Sequence, residues 1–167
     1  MDTFSILGRR LLATQGVATP FLNCPPTIYH QTLEEGMASV QQLGARIQQE
    51  GLELPLVFGM TGGPNGNVHQ GVQDIFQLLP HEMVAVDDLP EVVLAQQQQQ
   101  QQRQGGSSNS RYYKVYGVAP EHADLYQCNN GDAFDRTDFS NHPHLYSCTF
   151  ADKIAPYCHV LMNGLYW

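Results

Sequence analysis

The chain has 167 residues, 42% of them hydrophobic and 14% charged, with eight Lys and Arg against sixteen Asp and Glu and a formal charge of -8. That length suffices for one ordinary domain, or two small ones, with a real apolar core, and the composition excludes a wholly disordered or collagen-like chain. The acid surplus leaves few cations to neutralise phosphate backbones or anionic lipid, so nucleic acid and membrane surfaces are not expected partners.

Residues 4–12 place Phe4, Leu7 and Leu11 on one helical face, with Arg9 and Arg10 elsewhere. The pattern has some likeness to an organelle presequence, but Asp2 and the scarcity of Ser favour a short docking helix. No secretory apolar stretch precedes a small-residue cleavage site. The cytoplasm is the expected compartment, with the mitochondrion as the alternative, and Cys24, Cys128, Cys148 and Cys158 are not presumed to be disulfides. The longest apolar runs fall far short of the roughly 20 residues that cross a bilayer, so no membrane span is expected.

Thr32 followed by Glu35 reads as a capping box, and Leu33, Met37, Val40, Leu43 and Ile47 then recur at helical spacing until Gly51, which predicts a helix over 32–50. Leu52, Leu54, Leu56 and Phe58 alternate as in a strand, and Gly59 to Asn67 is a glycine-rich turn. Asn67 and Gln70 can cap a second helix with Val68, Val72, Ile75, Phe76 and Leu79 on its apolar face. A short strand over Met83–Val86 ends in Asp87 and Asp88, and Asp88, Pro90 and Glu91 start a third helix. The order helix, strand, helix, strand, helix predicts an α+β or α/β fold.

Seven glutamines, Gln96–Gln102, and the Gly/Ser stretch that follows set the best boundary in the chain. The expected organisation is a small α/β region over 1–95, a glutamine helix extension and linker over 96–110, and an aromatic, Cys- and His-containing β-rich region over 111–167. In that last region Tyr112 to Val118 alternates as in a strand, 129–132 and 135–138 read as turns, and Asn163-Gly164 is a hairpin signal.

Leu56 to Val68 runs as strand, glycine loop and helix start, with Asp87 some twenty residues on. Such an arrangement can bring backbone N–H groups to a pyrophosphate and an acid to a ribose hydroxyl. Thr61, Gly62 and Gly66 carry a Thr-Gly-x-x-x-Gly pattern that resembles the nucleotide loop of the short-chain dehydrogenase and NmrA-like families. The resemblance covers about a dozen residues. Val68 stands where the short-chain enzymes have a further glycine, and no Tyr-x-x-x-Lys pair occurs. The plainer reading is a turn between a core strand and a core helix, with no cofactor, and binding at Thr61, Gly62, Gly66 and Asp87 is the alternative.

His142, His144, Cys148, Cys158 and His159 are ligand types that zinc accepts, but paired Cys-x-x-Cys spacing is missing and no metal is expected. No nucleophile elbow or phosphate loop with Gly-Lys-Ser/Thr is present. From Gly51 to Ala95 there are six acids and no Lys or Arg, which suits a basic partner surface. Together with apolar side chains near both ends, Phe4, Leu7, Leu11, Leu165, Tyr166 and Trp167, these features predict a non-catalytic accessory subunit held by other protein subunits. The alternative is a nucleotide-binding protein or enzyme that uses the Gly59–Asn67 loop.

Overall fold

A computed structural model describes residues 1–63, 66–94 and 111–164. The first helix, α1 (Asp2–Gln15), closes on Gly16 in the left-handed region at φ 69°, where its N–H reaches back to the Leu11 and Leu12 carbonyls. Helix α2 (Leu33–Glu50) starts as the capping residues require: the Thr32 hydroxyl accepts from the Glu35 N–H, and the Glu35 carboxylate accepts from the Gln31 N–H. Strand β1 (Val57–Thr61) follows, then α3 (Asn67–Phe76), β2 (His81–Met83) and a short helix α4 over 89–94. Beyond residue 110 come β3 (Val115–Val118), α5 (His122–Leu125), β4 (Tyr126–Cys128), α6 (Arg136–Asn141), β5 (Tyr146–Cys148), α7 (Phe150–Lys153) and β6 (Val160–Asn163).

Four strands form one parallel sheet in the order β2-β3-β1-β6, and β4 and β5 form a separate antiparallel pair. The fold is α/β, and the sheet takes strands from both sides of residues 96–110. Successive residues of β1 point to opposite faces. Phe58 and Met60 enter the layer of α1, α2 and α3, with Val40, Leu43, Ile47 and Phe76. Val57 enters the opposite layer, with Leu89, Val118, Leu125 and Ile154. Helices therefore cover both faces of the sheet, and β1 is buried along its whole length.

This double cover corrects two expectations. The strand lies at Val57–Thr61, later than the alternation over 52–58 implied, because a strand buried on both faces reads as a continuous apolar run. Leu52 keeps only an isolated antiparallel bridge to Tyr112. Phe4, Leu7 and Leu11 do not offer partner contacts: they are at most 4% exposed, and Phe4 packs on Phe21 and Phe58 with ring centroids 5.7 and 6.0 Å away. The α1 helix docks on its own core. The glutamine tract, the Gly/Ser linker and Leu165, Tyr166 and Trp167, including the second arm of the expected hairpin, lie outside the described residues. Val160–Asn163 itself runs parallel to β1, and the Gly164 N–H donates to the Thr61 carbonyl at 3.0 Å.

Candidate functional site

At the carboxyl end of β1 the backbone turns sharply. Gly62 stands at φ 118°, and a Cβ there would come within 3.0 Å of the Gly164 carbonyl oxygen, so this place belongs to glycine. Gly63 is different, because a Cβ at its position would meet nothing within 4 Å among the described residues. The Gly66 N–H donates to the Gly63 carbonyl at 2.8 Å, and Gly66 rather than Asn67 is the residue that opens α3. Intrahelical bonding begins with the Gln70 N–H on the Gly66 carbonyl, which leaves the amides of Asn67, Val68 and His69 without helical acceptors, and no side chain among the described residues caps them. Such an end favours an anion. Thr61 fixes the loop from the other side, its hydroxyl donating to Asn163 Oδ1 at 2.7 Å across β1 and β6.

The chain leaves β1 through α3 on one face of the sheet and leaves β3 through α5 and α7 on the other. Where neighbouring strands send their connections to opposite faces, a crevice opens at their carboxyl ends, and this is where ligands bind in open α/β sheets. A cleft of about 250 Å³ occupies the place. Gly62 and Gly63 form one wall, Glu121 and His122 the turn after β3, and Phe134 and Arg136 the side toward β4 and β5.

Of the residues singled out from the sequence, Thr61, Gly62 and Gly66 meet at this loop. Asp87 does not, because β2 lies outside β3 and is separated from β1 by the width of a strand pairing, so the acid follows the wrong strand for a ribose beside the loop. Glu121, His122, Phe134 and Arg136 escaped sequence reasoning. The signal that could have found them is the strand-like Tyr112–Val118 running into Pro120-Glu121, once paired in parallel with β1.

Of the five metal candidates the His142 and His144 rings stand near each other, 6.2 Å between centroids. His159 and Cys158 sit at the amino edge of the sheet, away from the glycine loop. The His159 Nδ1 accepts from the Val57 N–H at 3.2 Å, which needs the neutral ring, and desolvation holds its pKa below the ordinary histidine value. His142 instead bonds Asp138, its Nδ1 at 2.9 Å from Oδ1, and the other oxygen of that carboxylate accepts from the Tyr146 hydroxyl at 2.9 Å. These two bonds hold the Asp138 carboxyl below its usual range, while desolvation and the same carboxylate push the Tyr146 phenol up to about 12. Cys148 is exposed on β5. Among the described residues no three His, Cys, Asp or Glu side chains are grouped to hold a metal ion, and no helix is long and apolar enough to cross a membrane.

The thiols differ enough to be told apart. Burial pushes the Cys158 thiol up to about 11 and raises that of Cys24, and Cys128 is buried in the fold. With iodoacetamide at neutral pH, peptide mass mapping should find Cys148 carboxamidomethylated first, Cys158 slowly, and Cys24 and Cys128 only after denaturant is added. Labelling of Cys24 or Cys128 ahead of Cys148 would contradict the packing.

Fold and cleft together define a parallel α/β unit with a crevice at the carboxyl ends of its strands. No protein-family model matches the chain. Along its whole length, however, it is similar to the alpha-aminoadipic semialdehyde synthase of Arabidopsis thaliana, with 38% identity over 171 aligned residues. It is also similar over 96% of its length to the mitochondrial alpha-aminoadipic semialdehyde synthases of Bos taurus, at 33% identity, and Mus musculus, at 32%. The chain spans 16% of the length of these curated relatives. The likeness overturns the expectation of a non-catalytic accessory subunit, since what the chain resembles from end to end is a stretch of an enzyme.

Proposed function

We propose that the chain is the dinucleotide-binding unit of an enzyme of the alpha-aminoadipic semialdehyde synthase kind. The observation that carries this reading is the glycine loop between β1 and α3, opening on a cleft at the point where the connections of β1 and β3 part to opposite faces of the sheet. The fit to a pyrophosphate is supported by the space over Gly63, where a Cβ would meet no atom of the described residues within 4 Å, and by the amides at the start of α3 that no described side chain caps. A bound nicotinamide dinucleotide supplies hydride transfer, the chemistry that links an aldehyde to an alcohol or an amine. The residues of the chain bind and orient: the loop amides take phosphate oxygens, Gly63 lets the backbone approach them, and Thr61 with Asn163 fixes where the loop leaves the sheet. The cleft is smaller than the roughly 300–1,000 Å³ of pockets that enclose a whole drug-sized ligand, so it holds one part of a dinucleotide. The names of the mammalian relatives support a mitochondrial location for this chain.

The test uses Gly63→Val, which adds bulk only where the ligand would lie. Calorimetric titration should show NAD or NADP binding to the unmodified chain and at least tenfold weaker binding to the variant, with an unchanged thermal midpoint. Binding that survives the substitution would refute the loop as the site.

A further inference from the structure

We propose that Arg136 is a phosphate-binding residue of the cleft, so that the wall built after β3, not the acid after β2, receives the ribose-phosphate part of the ligand. This rests on the dinucleotide reading above. In an open parallel sheet the group that meets the ribose stands at the end of the strand next to the glycine-loop strand. Here that strand is β3, because β2 has been displaced to the edge. Its outgoing turn and α6 therefore take over the role for which the sequence offered Asp87.

Within this wall the side chains divide by what they already hold. The Glu121 carboxylate is engaged in capping α5, where it accepts from the Asp124 N–H. Asp135, next to Arg136, is likewise turned to its own helix, its Oδ1 accepting from the Asp138 N–H at 2.8 Å. Among the other cations Arg46 bonds Glu50, Lys114 bonds Glu82, and Arg111 donates to the Glu50 carbonyl, while Arg9, Arg10 and Lys153 do not line the cleft. The Arg136 guanidinium has no hydrogen-bond or ion-pair partner among the described residues, yet it lines the same cleft as Gly62 and Gly63. In a chain of net charge -8, a free guanidinium at this place is the group able to meet a second phosphate oxygen pair, and its planar fork matches that geometry. His122 and Phe134 stand beside it with ring planes 29° apart and centroids 6.5 Å apart, presenting flat faces to a base or ribose.

The phosphate can be one of the pyrophosphate pair or one esterified to the ribose, and two titrants separate these. The 167-residue chain is titrated calorimetrically with NAD and with NADP, as are Arg136→Gln, Arg136→Lys and Gly63→Val. Arg136→Gln should weaken binding about 10- to 100-fold, and Arg136→Lys should recover part of the loss. Equal loss for both titrants assigns the pyrophosphate, and loss for NADP alone assigns the ribose phosphate. Arg136 is exposed, so the thermal midpoint should not move. If Gly63→Val abolishes binding while Arg136→Gln leaves it unchanged, this inference falls and the dinucleotide reading stands. If the unmodified chain binds neither titrant, both fall.

Discussion

Phe58→Ala should destabilise the fold by about 3–5 kcal/mol, the cost of truncating a fully buried aromatic in a core that cannot collapse around the gap. Phe58 has no exposed surface and touches three rings, with centroids 6.0 Å from Phe4, 6.3 Å from Phe21 and 5.5 Å from Phe76. It thereby ties α1, the turn after it and α3 to β1. Against a domain stability of about 5–15 kcal/mol the loss is large, and it should lower the thermal midpoint by roughly 6–20 °C. Ile6→Ala is the control: on the same first helix but 62% exposed, it should change stability by less than about 0.5 kcal/mol. Urea unfolding of the three proteins checks both numbers. Equal, small effects would mean that α1 does not pack on the sheet.

Gly8→Ala should also destabilise, with a sign opposite to that of the same substitution in an open helix. Alanine is favoured over glycine in an exposed helix by about 1 kcal/mol. At Gly8, however, the added Cβ would lie 2.5 Å from the Leu22 nitrogen and 2.6 Å from the Phe21 carbonyl carbon, both backbone atoms that cannot swing aside. Forcing α1 off that turn costs about 1–3 kcal/mol, more than the propensity gain. Gly71→Ala, in α3 with nothing within 4 Å of its Cβ, should instead stabilise by about 0.5–1 kcal/mol. Opposite shifts in the unfolding midpoint are the expected result, and a stabilised Gly8→Ala would show that α1 and the turn at Phe21 are not in contact.

Local signals carried well where the physics is local. Thr32 and Glu35 bounded α2 because their side chains bond amides a few residues away, and Gly51 ended it. The amphipathic face of α1 was equally legible, but periodicity says only that a face is covered, not by what. Phe4, Leu7 and Leu11 therefore read as partner contacts although they meet Phe21 and Phe58 of the same chain. In α3 the predicted face was rotated: His69 is buried, whereas Val68 is 59% exposed. The glycine loop was visible, since Thr61, Gly62 and Gly66 are neighbours in sequence. Its opposing wall was not, because Glu121 and Arg136 reach it through the parallel register of Phe58 with Gly117, which no local pattern encodes. The accessory-subunit reading failed for a related reason: the likeness to an enzyme runs along the whole chain and is concentrated in no short catalytic motif.

The strand order also governs how the chain can be made. β1 is an inner strand, yet one neighbour, β3, lies some sixty residues further along the chain and the other, β6, about a hundred, as the 103-residue separation of the Thr61 and Gly164 contact shows. At roughly 5–20 residues per second of synthesis, the most deeply buried strand waits several seconds or more for its last ladder. Contacts of such high sequence separation must be formed against loop-closure entropy before they yield any stabilisation, which slows folding. Val57 to Thr61 is then an unpaired, uncharged ribbon in the nascent chain, the kind of segment that aggregates or is held by chaperones.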